Sequence, residues 1–114
     1  MALKPDIGLS TLEYHVLLAI AEGPTHGYAI RDAVEDESER TLSPRAGTLY
    51  RVIARLMTSG LVSEAEAHED DGRHPGRTRR YYELTPKGRI ALVDEARRLK
   101  GAAALALERL GAGT

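Results

Sequence analysis

The apolar period of this chain changes twice, and the changes divide it into segments that cannot share one kind of secondary structure. Up to Gly60 hydrophobic side chains recur every three or four residues, the spacing of one helix face. Between Leu61 and Leu84 two short segments of strand-like composition flank a stretch rich in Gly, Pro and Arg. After Thr85 the helical spacing returns. The expected order is three helices, a hairpin and a long helix.

Local signals sharpen that order. Ser10, Thr11, Leu12 and Glu13 form a capping box, with Leu9 and Tyr14 able to staple across it. Leu12, Val16 and Ile20, widened by Leu17 and Ala21, give the first helix its stripe, and Gly23–Pro24 is expected to stop it with Gly23 as a left-handed cap. A second helix is expected from Thr25 or His26, with His26 capping or packing it and Tyr28, Ala29, Ala33 and Val34 as its weaker apolar face. Ser43–Pro44 is expected to open the third, Ser43 at the N-cap and Pro44 at the first helical position. Leu49, Val52, Ile53 and Leu56 follow at helical spacing and Gly60 closes it. Residues 61–65 and 80–84 read as strands, and Thr85–Pro86 starts a last helix to about Leu110, roughly 37 Å long.

Composition excludes several chemistries. The chain has 114 residues and no cysteine, which rules out disulfides, thiolate nucleophiles and cysteine-ligated zinc. No apolar run approaches the ~20 residues of a membrane span and no signal peptide opens the chain, so a cytoplasmic protein is expected. The four histidines show no metal-ligand spacing, His68 with Asp70 being the nearest approach to one. Nothing groups a nucleophile, a base and oxyanion donors, and there is no Gly-rich phosphate loop. Neither an enzyme nor a metal or cofactor is expected.

The net charge of −1 conceals a division. Residues 1–71 hold six Lys and Arg against thirteen Asp and Glu, and residues 72–114 hold ten against four. A basic surface suited to an anionic partner is the expectation; a solvated charged helix is the plainer reading.

Three helices followed by a hairpin is the order of a winged helix-turn-helix, whose third helix enters the major groove while the hairpin loop reaches adjacent backbone or the minor groove. The fold class expected is therefore mainly α with a small β-hairpin. Residues 1–85 would form the winged helix and residues 86–114 a C-terminal dimerisation helix. Fixing the apolar face of the third helix leaves Arg45, Thr48, Arg51, Arg55 and Thr58 outward, with Ser43 at its start and Tyr50 adding a hydroxyl and a flat face. Arginine pairs with guanine edges or phosphates, so Ser43, Arg45, Thr48, Tyr50 and Arg51 are the candidate reading residues. In the hairpin Arg73, Arg77, Arg79 and Arg80 fall within eight residues, and the first three are the candidate wing contacts to phosphate. Glu69, Asp70 and Asp71 just upstream could instead neutralise that loop. Leu92, Ala96, Leu99, Ala103, Ala106 and Leu110 repeat at heptad spacing, a seam for a second copy or for the chain's own domain. A winged helix can also serve protein docking without DNA, the alternative reading here.

The blocks LEYHVLLAIAEGPTHGYAI (residues 12–30), GTLYRVIARLMTSGLV (47–62) and RRYYELTPKGRIAL (79–92) resemble the signature blocks of PadR-type transcriptional regulators, specifically the smaller subfamily with one C-terminal helix. That resemblance implies a dimeric repressor on an inverted-repeat operator in double-stranded DNA. Gly47, Thr48, Leu49 and Tyr50 would lie in its recognition helix, and the last helix, helped by the first, would make the homodimer. It also implies a planar aromatic effector at the dimer interface. This chain lacks the tryptophan that stacks on such ligands in some relatives, leaving Tyr14, Tyr28 or an Ala-rich surface as alternatives.

Overall fold

The computed structural model describes residues 8–65 and 80–112. The elements run α1 (Thr11–Ala19), β1 (Thr25–His26), α2 (Gly27–Glu37), α3 (Ala46–Thr58), β2 (Val62–Glu64), β3 (Tyr81–Leu84) and α4 (Pro86–Arg109). The mainly helical class with a small sheet is the one expected, and the sheet gains a strand. β1 pairs antiparallel with β3 through Thr25 opposite Tyr82 and His26 opposite Tyr81, while β2 pairs with the other edge of β3. Two residues carry no periodicity, so β1 has no signature; its pairing comes from the fold.

The helix starts divide into those that obey their local signals and one that does not. α1 opens on the complete capping box, Ser10 Oγ accepting from Glu13 N–H at 3.1 Å and Glu13 accepting from Ser10 N–H at 2.8 Å. His26 caps α2, its Nδ1 accepting from Ala29 N–H at 3.3 Å, and its ring meets Tyr81 edge-on. Thr85 caps α4, accepting from Gly88 N–H at 2.9 Å with Pro86 following. Ser43 and Pro44 do not start α3. Its N-cap is Arg45, with no side-chain cap, because α2 claims the would-be cap: Ser43 Oγ donates to the Glu35 carboxylate, and Arg31 Nε donates to the Pro44 carbonyl at 3.1 Å. Gly23 likewise does not cap α1, which ends at Ala19 with Ile20 at the C-cap.

One core serves every helix and two of the strands. Val16, Leu17 and Ile20 of α1 sit against Ile30 and Val34 of α2, Leu49, Val52, Ile53 and Leu56 of α3, Leu61 and Val62 at the start of β2, Tyr82 of β3 and Leu92 of α4. α1 touches all three other helices, so Leu12, Tyr14, His15 and Leu18 are half-buried as well. Leu92, expected in an intermolecular seam, belongs to this intramolecular core. From Arg97 to Ala112 every residue of the last helix and its end is exposed. Among the described residues no helix is long and apolar enough to cross a membrane.

Candidate nucleic-acid interface

α3 is held by its apolar side and free on the other. Leu49, Val52, Ile53 and Leu56 are buried, and the complementary face carries Arg45, Ala46, Gly47, Tyr50, Arg51 and Arg55, all exposed. With no side chain capping it, the first turn offers its orphan amides outward, where the helix dipole favours an anion. Ala46 and Gly47 leave that turn without bulk, so a duplex backbone can approach it closely. Thr48 is half-buried, and its hydroxyl accepts from Arg51 Nη2 at 3.3 Å, which lays the guanidinium along the first two turns.

The remaining candidates are engaged in different ways. Tyr50 is 48% exposed, yet its hydroxyl lies over Gly27 at the start of α2, where a β-carbon would stand 2.2 Å from it. The tyrosine thus packs the opening of α3 against the opening of α2 and presents its other edge. Ser43 is exposed but its hydroxyl faces Glu35. Arg55 turns back toward α1, its Nη1 4.0 Å from Glu13 Oε2. Arg45 and Arg51 are therefore the arginines of α3 with the freest reach.

At the root of the wing Arg80 Nε lies 3.8 Å from Glu64 Oε2 across the β2–β3 pair. Both groups are well exposed, so the pair contributes little to stability. Arg73, Arg77 and Arg79 lie outside the described residues, as do His68, His74, Glu69, Asp70 and Asp71. Among the described residues no cluster of His, Cys, Asp or Glu could hold a metal ion.

Two features escaped the sequence reading. Glu95 is buried at 5% exposure, with both carboxylate oxygens on Arg98 and the Leu9 amide donating as well. The Arg98 hydrogen bonds, reinforced by its charge and that amide, outweigh burial and hold the carboxyl below its usual range. The i,i+3 spacing of Glu95 and Arg98 was its one legible trace. The second is a set of contacts joining the end of α3 to the start of α4, in which Thr85, Lys87 and Gly88 take part.

A helix with one buried and one arginine-bearing face, backed by two helices and followed by an antiparallel strand pair, defines a winged helix-turn-helix. Comparison with known proteins narrows this further. The model of the transcriptional regulator PadR-like family matches residues 16–94, and this chain belongs to that family of transcriptional regulators. The transcriptional regulator Rv3488 of Mycobacterium tuberculosis is 34% identical over 102 residues, 90% of this chain and 85% of that protein. An uncharacterised 37.1 kDa protein in transposon TN4556 of Streptomyces fradiae is 44% identical over 81 residues. That match takes in 71% of this chain but only 21% of that longer relative. Among solved structures, a PadR family regulator from Clostridium difficile superposes with a TM-score of 0.68 at 18% identity, covering 89% of this chain and 99% of that one. Bacillus subtilis PadR in complex with operator DNA gives 0.63 at 21% identity, covering 76% and 47%. At those identities the likeness is one of fold.

Proposed function

We propose that this regulator is a dimeric repressor that binds an inverted-repeat operator, with α3 in the major groove and the wing arginines on phosphate. The arrangement of α3 carries the reading: a helix seated by four buried side chains, with an open first turn, small residues there and exposed Arg45 and Arg51. The fold shared with a PadR bound to operator DNA supports it. Direct readout would fall to Thr48, Tyr50 and Arg51, positioning to Ser43, Arg45, Arg73, Arg77 and Arg79.

The dimer would be built on α4. The stripe that starts at Leu92 and Ala96 against the chain's own domain runs on through Leu99, Ala103, Ala106 and Leu110 into solvent, Leu99 being 39% and Leu110 81% exposed. A stripe longer than the domain that carries it is suited to a second copy. Should a planar aromatic effector bind at that interface, Tyr14 is its candidate platform, being half-buried on the helix that touches α4, whereas Tyr28 is 70% exposed on α2.

The test is selection of bound sequences from a random duplex pool, followed by affinity for the selected sequence across a salt series. A reader that displaces counterions loses affinity steeply, by a factor of ~10³–10⁵ between 50 and 200 mM salt for 6–10 phosphate contacts. A protein-docking winged helix would bind no duplex even at low salt, and that result would refute the proposal.

A further inference from the structure

The start of α4 is fastened to the end of α3. Gly60 turns the chain out of α3 at a φ of +80°, and donors from residues 85 and 87 reach the carbonyls of that turn. Thr85 Oγ1 donates to the Gly60 carbonyl at 2.6 Å, Lys87 Nζ donates to the Ser59 carbonyl at 3.2 Å, and the Thr85 amide donates to the Leu61 carbonyl at 3.1 Å. Thr85 Oγ1 also accepts from the Gly88 amide as the cap of α4, so one hydroxyl joins both helices. Gly88 lies so near that a β-carbon on it would stand 1.9 Å from the Leu61 oxygen. The Ser59 carbonyl, at the C-cap of α3, lacks an intrahelical partner, and Lys87 supplies one, with its ammonium at the negative end of the α3 dipole; the Gly60 and Leu61 carbonyls belong to the turn that follows.

From this clasp we infer that Thr85 and Lys87 are positioning residues for operator reading: they fix the angle between α3 and α4, and so select the half-site spacing that the dimer accepts. The inference rests on the proposed dimeric reading of an inverted repeat. In such a dimer each α3 is tied to the two-fold axis through α4, so any play at the joint becomes play between the two reading helices. α3 has 13 residues, and its reading end lies about 20 Å from the clasp. A rotation of roughly 10° at the joint would move that end by ~3.4 Å, the rise of one base pair. Leu92 in the core and the Glu95 contact to Leu9 hold α4 alongside α1, so the helix stays attached when the clasp is cut, while the ties from its first turn to the end of α3 are those of Thr85 and Lys87.

The variant that removes its side-chain bonds, leaving the Thr85 amide on the Leu61 carbonyl, is Thr85→Asp with Lys87→Met. Aspartate keeps an acceptor for the Gly88 amide at the cap but has no proton for the Gly60 carbonyl, and methionine keeps an apolar stem without the ammonium. Thr85→Ser keeps donor and acceptor and serves as the conservative control. Each protein is checked for thermal unfolding, then titrated with a duplex carrying one selected half-site and with inverted repeats of that half-site whose spacing changes one base pair at a time. Wild type and Thr85→Ser should prefer one spacing over its neighbours by about tenfold, while the cut variant, with each affinity taken relative to its own single-site value, should bind neighbouring spacings within about threefold of each other. A merely structural role, or the change of charge alone, would lower affinity in parallel at every spacing and leave the relative profile as sharp as wild type, and that result overturns the inference. Should the double variant not fold, Lys87→Met alone, altering an exposed side chain, must still broaden the profile, and an unchanged profile overturns the inference. A wild type indifferent to spacing would instead remove the inverted-repeat reading and the inference with it.

Discussion

At Gly88 the backbone of α4 passes so close to Leu61 that a methyl group would have to occupy space held by a carbonyl oxygen 1.9 Å from its position. A backbone atom cannot rotate away as a side chain can, so Gly88→Ala is expected to cost about 3 kcal/mol, the upper end of overpacking penalties. Urea unfolding checks it, and a loss below about 1 kcal/mol would mean that α4 slides freely on the α3–β2 turn. Glu95 makes a second residue-scale prediction. Its carboxyl is held below the usual range by Arg98, so its folded pKa is depressed. The stability it contributes is therefore present above the unfolded value of ~4.3 and lost as pH falls through the lower folded value. Unfolding midpoints of wild type and Glu95→Gln should differ at neutral pH and converge in acid. A constant gap would remove the charge from the account. Salt should narrow the neutral gap, because the Arg98 side chain is 61% exposed.

At the scale of the element, α3 separates seating from reading. Four buried side chains set its rotation, and that rotation decides which side chains can meet a duplex. Thr48 and Arg51 act as a pair in the first two turns, the part of a recognition helix that reaches base edges. Arg51→Ala should relax preference by about 1–3 kcal/mol at one base pair in each half-site, measured by competition with single-base variants of the selected sequence. An equal loss on all sequences would make Arg51 a phosphate contact. The turn before α3 shows how an element boundary is moved by its neighbour. Glu39 and Arg40 both adopt positive φ, at 54° and 66°, and Ser38 closes the loop by accepting from the Leu42 amide at 3.0 Å. With Glu35 and Arg31 then holding Ser43 and Pro44, the helix begins two residues later than its own sequence suggests.

At the scale of the molecule, α4 is both a core element and a projection. Its first half supplies Leu92 and Glu95 to the domain; its second half exposes Leu99, Leu105, Leu107 and Leu110. Full burial of an exposed leucine is worth about 1.5–3 kcal/mol, and the exposed part of each of these forgoes its share, which is an incentive to pair. Leu99→Asp would place a carboxylate in that seam and should turn a dimer into a monomer, costing ~10²–10⁴-fold in operator affinity through lost linkage of two half-sites. Solution mass and operator titration of both proteins check it. A wild type that is monomeric at micromolar concentration, or a monomeric variant of undiminished affinity, would show that the stripe serves something other than dimer-borne reading.

The residues show where legibility begins and ends. The capping box at Ser10–Glu13, the buried face of α3, the paired strands and the Thr85–Pro86 start of α4 were all readable, because each depends on groups within one or two helical turns or on a simple period. So was the arginine-bearing face, which follows once the buried face is known. What the chain alone could not disclose was decided between elements distant in sequence. Ser43 has every local mark of a cap, yet Glu35, eight residues earlier, competes for its hydroxyl. β1 exists only because β3 passes beside it, 55 residues or more along the chain. Leu92 lies on the same heptad stripe as Leu99, but the edge of the domain falls between them and assigns one to the core and the other to solvent. Periodicity records which side of a helix is apolar. Only packing in three dimensions decides what lies against it.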